Sequence, residues 1–324
     1  MPFRDIYGHK RPLGILKTVL ERGRIPQALL FHGMEGIGKR TTALAFAQAL
    51  NCREGGTDAC GRCPSCRKIG HGTHPDVSTL TADGQYIRIR DIRALQEQMQ
   101  FKPYEGRWRV FLVREADRMN LEAANALLKT LEEPSAKHGL ILLTAHPDRL
   151  PRTVLSRCQQ VRFHPLPRET VQRFLVERHA LEAPTAGLLA SCSGGSIARA
   201  LNLRQGDFLE MRRALLERMA SPALREPWQR LSFLGDLGQE RRSLAERLAV
   251  MRSCWRDALV VRETGAADLL IHRDCEAEIR TLADRRTGEE ILNNIRLIDR
   301  AIAALEQNAN KQLTLEVMMF RLAL

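Results

Sequence analysis

Aromatic side chains are scarce in this sequence: three Trp, three Tyr and ten Phe make up 5% of it. A surface that stacks successive bases of a single strand needs aromatics interleaved with its cations, and few accompany the arginines here. Long apolar runs are also missing; the longest are far shorter than the roughly 20 residues of a membrane helix. The opening Met1-Pro2-Phe3-Arg4-Asp5 has no apolar signal core. A cytoplasmic protein without a membrane partner is expected. Between Arg149 and Arg204 lysine is absent, yet nine arginines face three glutamates, a surplus that is half of the net charge of +12. Such a block suits nucleic acid, an acidic partner or nucleotide phosphates, and equally a solvated helical face.

What is present is ordinary for a globular chain. With 324 residues, 44% hydrophobic and 27% charged, two or three domains are expected. Eight cysteines in a reducing compartment do not suggest a disulfide framework. Cys158, Cys192, Cys254 and Cys275 are scattered and read as buried or half-buried residues. Cys52, Cys60, Cys63 and Cys66 instead cluster in a Gly- and Pro-bent segment with the spacing C-x7-C-x2-C-x2-C. Four soft thiolates so placed suit tetrahedral Zn2+, and four protein ligands leave no open position, so a structural zinc is expected. A redox or unliganded cluster is the alternative.

The stretch Gly33-Met34-Glu35-Gly36-Ile37-Gly38-Lys39 lies between the apolar run Ala28-Leu29-Leu30-Phe31 and a helical pattern from Thr42 to Leu50. Glycines at a strand-to-helix turn let successive N–H groups point inward, and Lys39 can reach terminal phosphates, so Gly33, Gly36, Gly38 and Lys39 form a candidate phosphate loop. Thr41 completes the set. The place after the lysine, where a hydroxyl would hold magnesium, is Arg40, and guanidinium has no lone pair to offer. Thr41 is one residue late, a rotation of about 100° on a helix. ATP, ADP or phosphate binding is therefore a doubtful expectation, and a ligand-free glycine turn the alternative.

Strand-like Arg109–Val113 and 139–144 alternate with helical patterns, one capped by Asp91 and one by Asn120. This α/β pattern implies a parallel sheet with its ligand at the strands' carboxyl ends. Strand signals stop after Phe163. The expected division is an α/β domain over 1–165 with a cysteine insertion at 51–68, a small helical domain over 166–206, and a helical domain over 207–324 carrying the stripe Ile291, Ile295, Ile298, Ile302 and Leu305.

The segment Leu127–Pro134 (LLKTLEEP), the element Leu155-Ser156-Arg157-Cys158, the four-cysteine insertion and the closing Asn308-Ala309-Asn310 helix together resemble the bacterial clamp-loader subunits of the AAA+ class, over nearly the whole chain. The resemblance implies an AAA+ P-loop domain, a helical lid and a helical collar. It further implies gamma/tau and delta subunits as partners in a hetero-oligomeric ring, and the sliding clamp and primed DNA reached through that complex. Active members are expected to show Asp-Glu where this chain has Arg114-Glu115, and Gly-Ser-x-Arg where it has Gly195-Ser196-Ile197-Ala198. Thr144 matches a γ-phosphate sensor. These departures point away from the ATP-hydrolysing gamma/tau branch, toward a member of the family that is expected not to hydrolyse ATP itself.

Arg157 matches the family's arginine finger, which acts on a neighbour's ATP; an internal salt bridge is the plain alternative. The competing functions are an active gamma/tau-type ATPase and, more weakly, a zinc-dependent DNA-binding module, for which the cysteine loop lacks a basic recognition helix.

Overall fold

A computed structural model describes residues 1–132, 137–238 and 240–324. Two compact units are formed, one by 1–181 with 194–199 and the other by 182–193 with 200–324. The threefold division read from the sequence remains a proposal, and the boundary observed here runs through its middle segment.

The first unit contains α1 (Lys10–Arg22), β1 (Ala28–His32), α2 (Lys39–Asn51), α3 (Pro64–His71), β2 (Val77–Leu80), α4 (Ile89–Gln98), β3 (Arg109–Val113), α5 (Leu121–Glu132), β4 (His138–Thr144), α6 (Arg152–Leu155), β5 (Gln159–Arg162) and α7 (Arg168–His179). The strands form one five-stranded sheet in the order β2-β3-β4-β1-β5, with every pairing parallel. Alternation along the strands sorts the core into two layers. Leu29, Phe31, Val110, Leu112, Ile141 and Leu143 pack with Phe46 and Leu50 of α2, whereas Leu30, Phe111, Val113, Leu140 and Leu142 pack with Ile92 and Leu95 of α4 and Leu127 of α5. Strands buried on both faces read as unbroken apolar runs, which is why β1, β3 and β4 were legible in the sequence. Edge strand β5, mostly exposed apart from Val161, carries no such run and was missed.

Two local expectations need correction. Asp91 is not the N-cap of α4 but its third residue, and it closes a capping box there, its carboxylate accepting the N–H of the N-cap Arg88 at 2.8 Å. The cysteine segment is not loop throughout, because Pro64 starts α3 with Cys63 as its N-cap. Asn120 does cap α5, accepting the Ala123 N–H at 2.9 Å.

The second unit is helical: α8 (Ala183–Cys192), most of α9 (Ile197–Arg204), α10 (Phe208–Ala220), α11 (Pro227–Asp236), α12 (Arg241–Thr264), α13 (Glu276–Asp284), α14 (Gly288–Glu306) and α15 (Lys311–Arg321). Helix α12 runs through its centre and buries Leu248, Met251, Trp255 and Ala258; Ile291 and Ile298 of α14 are also fully buried. Between α14 and α15, Asn308 is left-handed at φ 63°, and Asn310 caps α15 by accepting the Leu313 N–H at 3.1 Å. Among the described residues no helix is long and apolar enough to cross a membrane.

Candidate nucleotide and metal sites

The glycine loop joins β1 to α2 at the point where the strand order reverses, since β1 pairs with β4 on one side and β5 on the other. In open parallel sheets that is where ligands bind. Gly33, Gly36 and Gly38 all have positive φ, at 141°, 71° and 109°. A Cβ on Gly33 would lie 2.2 Å from Phe163 O, and one on Gly36 would lie 2.4 Å from Ser196 Oγ and 2.6 Å from the Ala198 Cβ. Side chains are therefore excluded at both positions.

Every carbonyl from 33 to 38 has a donor within the unit. Lys39 Nζ donates to Gly33 O and to Met34 O (2.8 Å), Ser196 Oγ to Glu35 O (2.9 Å), and Ala198 N to Gly36 O (3.1 Å). His9 Nε2 pairs with Ile37 O at 2.6 Å, and Thr42 Oγ1 donates to Gly38 O at 3.0 Å. The loop is thus fastened from its carbonyl side. Burial pushes the Lys39 ammonium below its usual value, and Glu35 and Asp117 partly restore it. Arg40 is exposed and Thr41 half-buried, and it is Thr42 rather than Thr41 whose hydroxyl bonds to the loop.

Arg114 follows β3 and precedes Glu115, which is in left-handed conformation at φ 49° and ion-paired to Arg118 at 2.5 Å. Sequence reasoning missed Asp117. Its carboxylate accepts the Thr144 hydroxyl and is close enough to Lys39 to raise the latter's pKa. Its displacement by three residues from the position of Arg114, where the aspartate was expected, hid it. Thr144 is buried at the end of β4, its carbonyl accepting Gly33 N at 3.3 Å. Ser196 and Ala198 meet the loop, but Arg199 joins this arrangement only through its N–H to Ser196 Oγ at 3.2 Å.

Arg157 follows α6. Its Nη2 pairs with Glu132 Oε1 at 2.7 Å and its Nη1 donates to Thr153 O at 3.1 Å; the two side chains are 37% and 50% exposed. An ion pair this open to water is worth at most about 1 kcal/mol, a weak restraint on the guanidinium.

The four clustered cysteines come together. Their sulfurs lie within 4.8 Å of one another, with Cys60 Sγ and Cys66 Sγ at 3.9 Å. Zinc–sulfur bonds of about 2.3 Å in a tetrahedron separate the sulfurs by about 3.8 Å, so the donor set fits. Backbone N–H groups point at the sulfurs, from Cys60 to Cys52 (3.4 Å), Cys63 to Cys60 (3.3 Å) and Cys66 to Cys63 (3.5 Å). Burial pushes the Cys63 thiol up, but the N–H groups of Cys66 and Arg53 and the adjoining thiols bring it down to about 6, while burial raises Cys66. The insertion is tied down by Asp58, which accepts the N–H groups of Phe3 (2.7 Å) and Arg4 (3.2 Å), and by Gln48, which donates to Cys66 O at 2.7 Å.

Comparison with known proteins adds three findings. The family model described as DNA polymerase III, delta subunit, matches residues 8–167. The DNA polymerase III subunit delta' of Bacillus subtilis (strain 168) is 31% identical over 316 residues, 96% of this chain and 95% of that protein. The DNA polymerase III subunit tau of Escherichia coli (strain K12) is 38% identical over 207 residues, 62% of this chain but 32% of that longer protein.

Proposed function

Because the chain belongs to the delta' family of DNA polymerase III subunits, we propose that it is the stator of a bacterial clamp loader: it takes part in loading the sliding clamp on primed DNA without hydrolysing ATP itself. The observation that carries this reading is the state of its own phosphate loop. Lys39 is spent on the loop's carbonyls, Arg40 stands where a magnesium hydroxyl is needed, and Arg114 stands where a metal-side carboxylate is needed. Two cations would repel a divalent metal at the place it must occupy. Ala198 offers a methyl where a γ-phosphate arginine would be required.

In this reading Arg157 acts in trans on the ATP of a neighbouring gamma/tau-type subunit, exchanging Glu132 for phosphate oxygens. Fingers of this kind contribute roughly 10³–10⁵ in rate. The gamma/tau and delta subunits are its partners in a hetero-oligomeric ring, with the helices from α10 to α15 as the collar. Structural Zn2+ on Cys52, Cys60, Cys63 and Cys66 cross-links the insertion and takes no part in chemistry.

The test is an ATPase assay on the purified chain and on the reconstituted complex. The chain alone should show no magnesium-dependent turnover, and Arg157→Ala should leave assembly intact while lowering the rate of the complex. Turnover by the chain that disappears in Lys39→Ala would overturn the stator reading; an unchanged rate with Arg157→Ala would remove the finger. One observation favours a second reading, an active gamma/tau-type motor: Asp117 brings a carboxylate to Thr144 and within electrostatic reach of Lys39. Loss of chain-alone turnover in Asp117→Asn would select it.

A further inference from the structure

Four arginines of the helical unit gather without an ion-pair partner among the described residues. Arg225 ends the 3-10 turn Pro222–Arg225, Arg230 belongs to α11, and Arg285 and Arg286 follow α13. The acceptors they have are neutral carbonyls. Arg230 Nε donates to Leu224 O (3.0 Å) and its Nη1 to Leu322 O (3.5 Å), Arg285 Nη1 donates to Ala220 O (3.0 Å), and Arg286 Nε to Ala323 O (2.8 Å). Among the described residues the ion pairs of this unit are made by Arg212, Arg213, Arg252, Arg256 and Arg280 instead. The nearby acid, Glu290, is committed to capping α14 through the N–H (2.7 Å) and hydroxyl (3.0 Å) of Thr287.

Arg286 is the inner member, 9% exposed, with its guanidinium carbon 5.4 Å from the centre of the fully buried Trp255 ring. Its Nη1 and the Trp255 Nε1 are buried and have no partner. Burial first, then Arg285 and Arg225, hold its pKa below the ordinary arginine value, with Glu290 opposing. A buried donor left unpaired costs about 1–3 kcal/mol, and an unpaired buried charge costs more. Water would satisfy the hydrogen bonds but not the charge. A planar guanidinium among other cations is matched by an oxygen anion.

We propose that Arg225, Arg230, Arg285 and Arg286 frame an oxyanion site beside the Trp255 indole, which takes phosphate or a carboxylate. The inference does not depend on the clamp-loader reading.

Inorganic phosphate titrated into the full-length Lys39→Ala chain, at ionic strength matched with sodium chloride, tests it without interference from the phosphate loop. Thermal shift and tryptophan emission should both saturate, and Arg286→Gln should weaken the apparent affinity about tenfold or more. Should that variant not fold, Arg225→Gln combined with Arg285→Gln, both at exposed positions, should weaken binding several-fold. A response that is absent, does not saturate, equals that of chloride, or persists unchanged in these variants overturns the site. The source of the anion is separated in the reconstituted complex: assembly weakened by Arg286→Gln and competed by phosphate assigns a partner's carboxylate, whereas unaltered assembly with phosphate binding retained by the wild type assigns free anion.

Discussion

Acidification should loosen the helical unit through one imidazole. His272 is 1% exposed, and its ring is held between one donor and one acceptor that fix its tautomer. Arg212 Nη1 lies 3.0 Å from Nδ1 and can only donate, so Nδ1 is the acceptor. Nε2 then carries the proton and donates to Ser253 Oγ at 2.7 Å, whose own hydroxyl donates to Val250 O at 2.7 Å. A second proton on Nδ1 would point at a guanidinium. Burial, followed by Arg212, lowers the imidazole from 6.5 to about 4, with Asp274 opposing and Arg256 adding to the fall. Asp257 accepts the His272 N–H at 2.8 Å, and Asp274 pairs with Arg212.

In the unfolded chain the imidazole takes its proton near 6.5 and in the folded chain near 4. Between those values the unfolded state binds more protons, so stability rises with pH. The contribution is complete above 6.5 and is lost as pH falls toward 4, at about 1.4 kcal/mol per pH unit and about 3 kcal/mol in all. At about 2–4 °C per kcal/mol, that is a fall of roughly 6–12 °C in the melting temperature. Carboxylates titrate in part of the same range, so the comparison is between the wild type and His272→Gln. The variant should be less stable at pH 7 yet lose distinctly less on acidification, and the His272 ring signals in an NMR titration should keep their neutral shifts below pH 5. Equal slopes for the two proteins, or an imidazole that titrates near its ordinary value, would refute the reasoning.

Further outcomes follow from other sites. Gly36→Ala should destabilise the first unit by about 1–3 kcal/mol in chemical denaturation, because a left-handed residue acquires a Cβ against Ser196 and Ala198. Asp76, buried and accepting the N–H groups of Tyr104 (2.7 Å), Glu105 (2.9 Å) and Gly106 (2.7 Å), should cost about 2–3 kcal/mol when replaced by Asn, with hydrogen exchange rising at those amides. Cys63→Ser should abolish stoichiometric zinc in metal analysis of the purified protein and lower its melting temperature; full metal content in the variant would remove Cys63 from the ligand set.

Much of the first unit was legible because its signals are local. Continuous apolar strands, the N-cap Asn120, the glycine turn and the cysteine spacing each depend on neighbours a few residues apart. Strand β5 was not legible, since an edge strand needs only one buried face and Val161 alone supplies it. The fastening of the glycine loop could not be read from local pattern: Ser196 and Ala198 reach Glu35 and Gly36 across about 160 residues of chain, no periodicity encodes such a meeting, and only the family resemblance pointed to Gly195-Ser196-Ile197-Ala198. Asp117 became visible only when the turn after β3 carried it to Thr144.

The sequence by itself determined the chemistry available: a cation where a metal ligand would stand, four thiols in one short segment, an arginine in a family element. Tertiary structure decided what those groups face. It set Lys39 on its own loop, Arg157 on Glu132, and the Arg286 guanidinium over the Trp255 indole. The reason is physical: covalent order fixes which charges a chain owns, but their energies depend on distance and burial, and only folding sets those.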